Sequence, residues 1–119
     1  MSELQNYLPL TKAVFHILLV LADGERHGYG IMQEIAVLTD GKFQILPGTL
    51  YTSIQRMVTD GLIEESDTRP DPAFDDERRR YYRITDLGRQ IATAEVQRLQ
   101  SLIALAQSKR LLGETQPAS

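Results

Sequence analysis

Between Thr49 and Thr59 the chain sets short hydroxyls, one amide and one guanidinium at helical intervals, with no carboxylate until Asp60. Thr49, Thr52, Ser53, Gln55, Arg56 and Thr59 form a face small enough to approach a phosphate-lined groove. On such a face Arg56 can pair bidentately with a guanine edge and Gln55 with an adenine edge. Thr49 falls near the start of the helix, where free backbone N–H groups already favour a phosphate. The competing reading is an ordinary solvated helix side. Tyr51, in the same run, has two readings: a ring in the core, or a half-buried ring whose hydroxyl reaches a phosphate, since a buried Tyr hydroxyl needs a partner.

Catalytic chemistry finds no comparable support. No Gly-rich loop links a strand to a helix, and no serine sits in a nucleophile elbow. The acidic residues fall on loops and helix ends, where solvated carboxylates are ordinary, so neither an enzyme nor a cofactor is expected. With no cysteine and only His16 and His27 as histidines, a metal site lacks its usual three or four ligands. His16, among apolar residues, reads as a packed core or interface histidine.

The elements that must carry the Thr49–Thr59 face follow from apolar spacing. Pro47 suits a first helical position because its missing N–H would be unpaired there. Leu50, Ile54, Met57 and Val58 form the expected buried stripe, and Gly61 stops the helix. Leu46 precedes Pro47 and offers no capping side chain. Upstream, a first helix is expected after Pro9 with Leu10, Ala13, Val14, Ile17, Leu18 and Leu21 inward, ending at Asp23–Gly24. A second opens at His27–Gly28–Tyr29–Gly30 and carries Ile31, Met32, Ile35, Ala36 and Leu38 to a turn at Asp40–Gly41. Residues 42–46 connect it to the Pro47 helix. Downstream, Leu62–Ser66 and Arg79–Ile84 read as strands, the second alternating with Tyr82 and Ile84 on one side. A long polar hairpin loop spans Asp67–Arg78.

Thr85–Asp86 caps a long final helix. Along it Ala92, Val96, Leu99, Ile103 and Ala106 step by four and three, a heptad-type seam that Leu87, Ile91, Leu102 and Leu105 widen. So much apolar face exceeds what a small domain can cover, and the simplest cover is a second copy of the chain. The expected organisation is a loose leader over residues 1–8, a domain over 9–85, a dimerisation helix over 86–112 and a frayed tail over 113–119.

The 119 residues make one domain, and a 42% apolar share allows a real core. The longest apolar run, Ile17–Ala22, is far short of the roughly 20 residues of a membrane span. Lack of cysteine and of a secretory start leads to an expected cytoplasmic location without membrane contact. Taken as a sum, a formal net charge of −3 argues against nucleic acid. Distribution matters more, because exposed charges are screened over about 8–10 Å. Arg78, Arg79, Arg80 and Arg83 are bunched, directly after Asp71, Asp75, Asp76 and Glu77.

Three helices, a hairpin and a long helix describe a mainly α winged helix-turn-helix. The segments LTKAVFHILLVLADGERHGYGIMQEI, PGTLYTSIQRMVTDGLIE and RRRYYRITDLGR resemble the PadR family of transcriptional regulators in order and spacing, over about Pro9 to Leu112. The resemblance implies a homodimer, with a repressor the expected role, whose Pro47 helix enters the major groove of a near-palindromic double-stranded DNA site. It implies that Thr49, Tyr51, Thr52, Gln55 and Arg56 face DNA. Arg78, Arg79 and Arg80 are expected to contact DNA as a basic wing; the alternative is pairing with Asp75, Asp76 and Glu77, and both can hold if the acidic cluster competes with phosphate. For Tyr29 it raises a backbone-positioning role beside the alternative of a packed turn. The implied dimer contacts are Leu87, Ile91, Val96, Leu99, Leu102, Ile103, Leu105 and Ala106. Some relatives bind flat aromatic or cationic effectors through a Trp on the terminal helix. This chain has no Trp and no aromatic after Tyr82, which leaves the identity of any small-molecule effector open. A winged-helix module that binds protein instead of DNA is the alternative from another class.

Overall fold

The computed structural model describes residues 2–66 and 80–112. Its elements are α1 (Ser2–Gln5), α2 (Lys12–Leu21), β1 (Arg26–His27), α3 (Gly28–Leu38), α4 (Pro47–Thr59), β2 (Ile63–Ser66), β3 (Tyr81–Ile84) and α5 (Asp86–Ser108). The three strands form an antiparallel sheet in the order β1-β3-β2. A mainly helical winged helix-turn-helix with a long C-terminal helix is therefore the fold.

Apolar burial holds the helices together. Ile17, Leu18 and Leu21 of α2 meet Ile31 and Ile35 of α3, Leu50, Ile54 and Met57 of α4, and Ile63 of β2 in one cluster. Each such side chain contributes about 1.5–3 kcal/mol when fully buried. The termini are set by local chemistry. Thr11 accepts from the Val14 amide to cap α2, and the His27 Nδ1 accepts from the Gly30 amide to cap α3. Leu46 gives α4 no side-chain cap, as its residue type dictates, and Pro47 stands in the first turn.

Four expectations need correction. Where the sequence suggests a loose leader, residues 2–5 form one helical turn, and Leu4, Tyr7 and Leu8 pack on the core. The hairpin has a third strand: Arg26 and His27 pair with Tyr82 and Tyr81. Val58, assigned to the buried stripe of α4, is exposed, because it lies at the edge of the face that Leu50, Ile54 and Met57 bury. Ile91, assigned to a dimer contact, is 0% exposed within this chain's own core and cannot meet a partner.

A joint beside β2 aims α5. The Thr85 hydroxyl approaches the carbonyls of Gly61 and Leu62 at 2.6 and 3.0 Å and accepts from the Gly88 amide at 3.0 Å. The Thr85 amide donates to the Leu62 carbonyl at 3.1 Å. One residue thus ties the end of α4, the start of β2 and the first turn of α5.

Further along α5, Glu95 is buried and receives both Nε and Nη2 of Arg98 at 2.8 and 2.9 Å. The Arg98 hydrogen bonds hold its carboxyl below the ordinary 4.5, against the opposing effect of burial, and the Leu10 amide adds a further bond. A group depressed on folding stabilises above its unfolded value and loses that stabilisation as pH falls through its folded value. Glu95→Gln is therefore expected to melt earlier than the parent at neutral pH. The gap should close as the solution is taken below pH 4.5, read by thermal melts at a series of pH values.

Candidate nucleic-acid interface

Burial of Leu50, Ile54 and Met57 turns the opposite side of α4 outward. Thr49, Thr52, Gln55, Arg56 and Thr59 are all exposed there, and Ser53 is half-buried beside them. At 100° per residue, Thr52 and Thr59 run along the middle of that side, with Gln55 and Arg56 flanking them. A stripe of this shape offers two long hydrogen-bonding side chains over small neighbours, as close approach to a groove requires.

Tyr51 stands at the side of the stripe, 47% exposed. Its ring lies against the first turn of α3: a Cβ on Gly28 would come within 2.7 Å of Tyr51 Cε1 and 2.9 Å of its hydroxyl oxygen. Gly28 is thus required for close approach. The two readings of Tyr51 merge: the hydroxyl end of the ring packs against α3, while about half of the residue stays exposed. Tyr29, on the same first turn of α3, is 54% exposed. His27 is part-buried, its ring edge-on to Tyr81 at 5.4 Å, and joins α3 to the sheet.

The wing begins where β2 and β3 pair, Glu65 opposite Tyr82 and Ser66 opposite Tyr81. Arg80 is exposed at its described base, with Nε 3.6 Å from a Glu65 carboxylate oxygen. Arg78 and Arg79, with Asp75, Asp76 and Glu77, lie outside the described residues. Between α4 and the wing runs a groove of about 410 Å³ lined by Tyr51, Gln55, Val58, Thr59, Glu65, Arg80 and Tyr82. Burial first, and then the Glu65 carboxylate, push the Tyr82 hydroxyl above its ordinary value.

Glu65, Tyr82 and Val58 are absent from the sequence-derived site. The one signal for Glu65 was the acidic pair Glu64–Glu65 directly after the Pro47 helix. Glu64 is structural: its carboxylate takes Arg83 Nε at 2.7 Å, and Arg83 also lies 3.8 Å from Glu25, which accepts from the Ser66 hydroxyl.

Of the residues assigned to self-association, Val96, Leu102, Ile103 and Leu105 are exposed, Leu99 and Ala106 half-buried, and Leu87 packs partly on the core. His16 bonds the Lys12 carbonyl at 2.8 Å and packs edge-on against Phe43. Among the described residues no group of three or more His, Cys, Asp or Glu is arranged to hold a metal, and no helix is long and apolar enough to cross a membrane.

Known proteins resemble this arrangement in sequence and in fold. The transcriptional regulator Rv3488 of Mycobacterium tuberculosis is 38% identical over 87 residues, covering 73% of this chain and 75% of that protein. An uncharacterised protein of Lysinibacillus sphaericus is 40% identical over 73 residues, 61% of this chain and 64% of its own length, so the match spans slightly under two thirds of that relative. A transcriptional regulator from Clostridium thermocellum superposes with a TM-score of 0.67 at 25% identity, covering 91% of this chain and 95% of its own. A PadR family transcription regulator from Clostridium difficile superposes with a TM-score of 0.66 at 21% identity over 82% and 97%, a likeness of fold. The model of the Transcriptional regulator PadR-like family, a family of regulators rather than of enzymes, matches residues 17–94. On that match and the fold beneath it, this chain belongs to the PadR-like family of transcriptional regulators.

Proposed function

We propose that the chain works as a homodimeric repressor, gripping a near-palindromic operator with α4 from each protomer in successive major grooves. The observation that carries this reading is the outward stripe of Thr49, Thr52, Gln55 and Arg56, opposite a fully buried face and beside a β-wing. Thr49 and the bare amino terminus of α4 meet a backbone phosphate. Gln55 and Arg56 read base edges. Tyr29 and Tyr51 flank the stripe and position the backbone through their hydroxyls, and Arg78, Arg79 and Arg80 extend the contact along the wing. Self-association through the exposed apolar side of α5 sets the separation of the two heads at about 34–36 Å, one turn of the duplex. An effector acts on this dimer only through unequal affinity for its DNA-competent and DNA-incompetent shapes.

Binding to a pool of random-sequence duplexes, titrated with salt, tests the partner class. The expected plot of log affinity against log salt falls with a slope of about −0.9 per phosphate neutralised. Affinity that is absent at every salt concentration would favour a module that binds protein.

Two variants sharpen the test. Arg56→Ala should cost about 1–3 kcal/mol against the preferred sequence and relax discrimination at one base pair, measured on single-base operator variants. Gly28→Ala forces the Tyr51 ring aside, because the clash is with the end of a side chain and not with backbone. It should leave the melting transition nearly in place while weakening operator binding about tenfold, the loss of one hydrogen bond to a charged group.

A further inference from the structure

The DNA-binding reading leaves one charge on the proposed contact face without a use. Glu64 belongs to the Arg83–Glu25–Ser66 network at the foot of the wing. Glu65, one residue on, projects to the opposite side of the strand, into the groove that holds Gln55, Val58 and Tyr51. A carboxylate there repels every phosphate that approaches. Among the described residues its ion pair is with Arg80, long at 3.6 Å, and the two side chains are 45% and 60% exposed. A pair so exposed adds little to stability. Among the described residues, no contact that supports folding accounts for a carboxylate at this point.

Resting on that reading, we infer that Glu65 is a specificity-determining residue: it latches Arg80 to the groove wall and withholds it from DNA phosphate until α4 is fully seated. In a loose, non-specific complex the contacts are nearly all electrostatic, and Arg80 stays on Glu65. In the operator complex α4 is seated by its base contacts, Arg80 is brought against the backbone, and a phosphate displaces the carboxylate. The latch thus costs the wrong sequences one phosphate contact and the right sequence only a weak surface pair. That is discrimination by penalising the competitor.

The test uses the full chain as parent, Glu65→Gln, Arg80→Ala and the double variant. Each is titrated across a salt series on an operator selected from random duplexes and on an unrelated duplex of equal length. Glu65→Gln is expected to bind the unrelated duplex about three- to tenfold more tightly at physiological salt, with its salt slope steeper by about 0.9. On the operator, affinity should change less than twofold and the slope not at all. In the Arg80→Ala background the gain should vanish. A gain of equal size in that background would overturn the latch, leaving simple repulsion. Equal gains on both duplexes would overturn the specificity role, and so would no gain on either. A parent chain that binds no duplex at any salt concentration would instead remove the DNA-binding reading beneath it, a result distinct from the other three.

Discussion

Aspartates at Leu102 and Ile103 together are expected to leave a folded single chain that binds a two-half-site duplex at least a hundredfold more weakly. These side chains are 48% and 51% exposed, on the half of α5 that runs past the chain's own core. Neither belongs to the buried cluster, so the charges do not disturb it. In a dimer, however, each would be driven into an apolar seam, where an unpaired carboxylate is strongly unfavourable. Without the second protomer, binding of the second half-site no longer profits from tethering, an advantage of about 10²–10⁴ in affinity. Sedimentation would report the mass, circular dichroism the retained helix, and titration of one- and two-half-site duplexes the lost avidity. The same change at Ile91 should unfold the chain, since that residue is fully buried. A Leu102→Asp/Ile103→Asp chain that still sediments as a dimer would exclude this face as the seam.

The second large effect belongs to Gly88. A Cβ there would run into the backbone carbonyl of Leu62 and touch the Ile84 side chain. The carbonyl cannot step aside, because it already accepts from the Thr85 amide in the joint that starts α5. Gly88→Ala must therefore push α5 off β2, at a cost of about 3 kcal/mol, the upper end for overpacking. For a domain of this size that lowers Tm on the order of 15 °C. Thr85→Ala, which removes the cap but creates no overlap, should cost only about 1 kcal/mol. Thermal melts of the two variants give the comparison. If Gly88→Ala melted with the parent, the joint could not be what fixes the direction of α5, and the spacing of the two reading heads would need another origin.

The α4 helix was legible because its signals agree. Pro47 marks the start, Gly61 the stop, and Leu50, Ile54 and Met57 keep one face while the polar residues keep the other. Spacing fails where burial depends on what lies across the helix. Val58 continues the α4 stripe in sequence, yet it stands exposed at the edge of that face. The terminal seam has the same weakness. Ile91 and Val96 look alike in a heptad, but α5 crosses the core at the first and leaves it at the second. A strand of two residues such as Arg26–His27 is too short to alternate and is defined by its pairing with β3. Leu4, Tyr7 and Leu8 do fall at helical spacing, but the stretch is too short for the pattern to stand out, and what holds these residues is packing against distant parts of the chain. Glu95 and Glu65 escaped notice for a related reason. Arg98 stands one helical turn from Glu95 and was within reach of a sequence reading, but the burial of Glu95 and its bond to the Leu10 amide arise only through the fold, as does the meeting of Glu65 with Arg80.

The central claim is that two α4 helices, held apart by paired α5 helices, read neighbouring turns of one duplex. Selection of bound fragments from random duplexes at physiological salt tests it most directly, since symmetry and spacing emerge from the same sequences. The account predicts an inverted repeat whose half-site centres lie about 10–10.5 base pairs apart, or a whole multiple of that distance. A single unrepeated motif, or half-sites at unrelated separations, would contradict it.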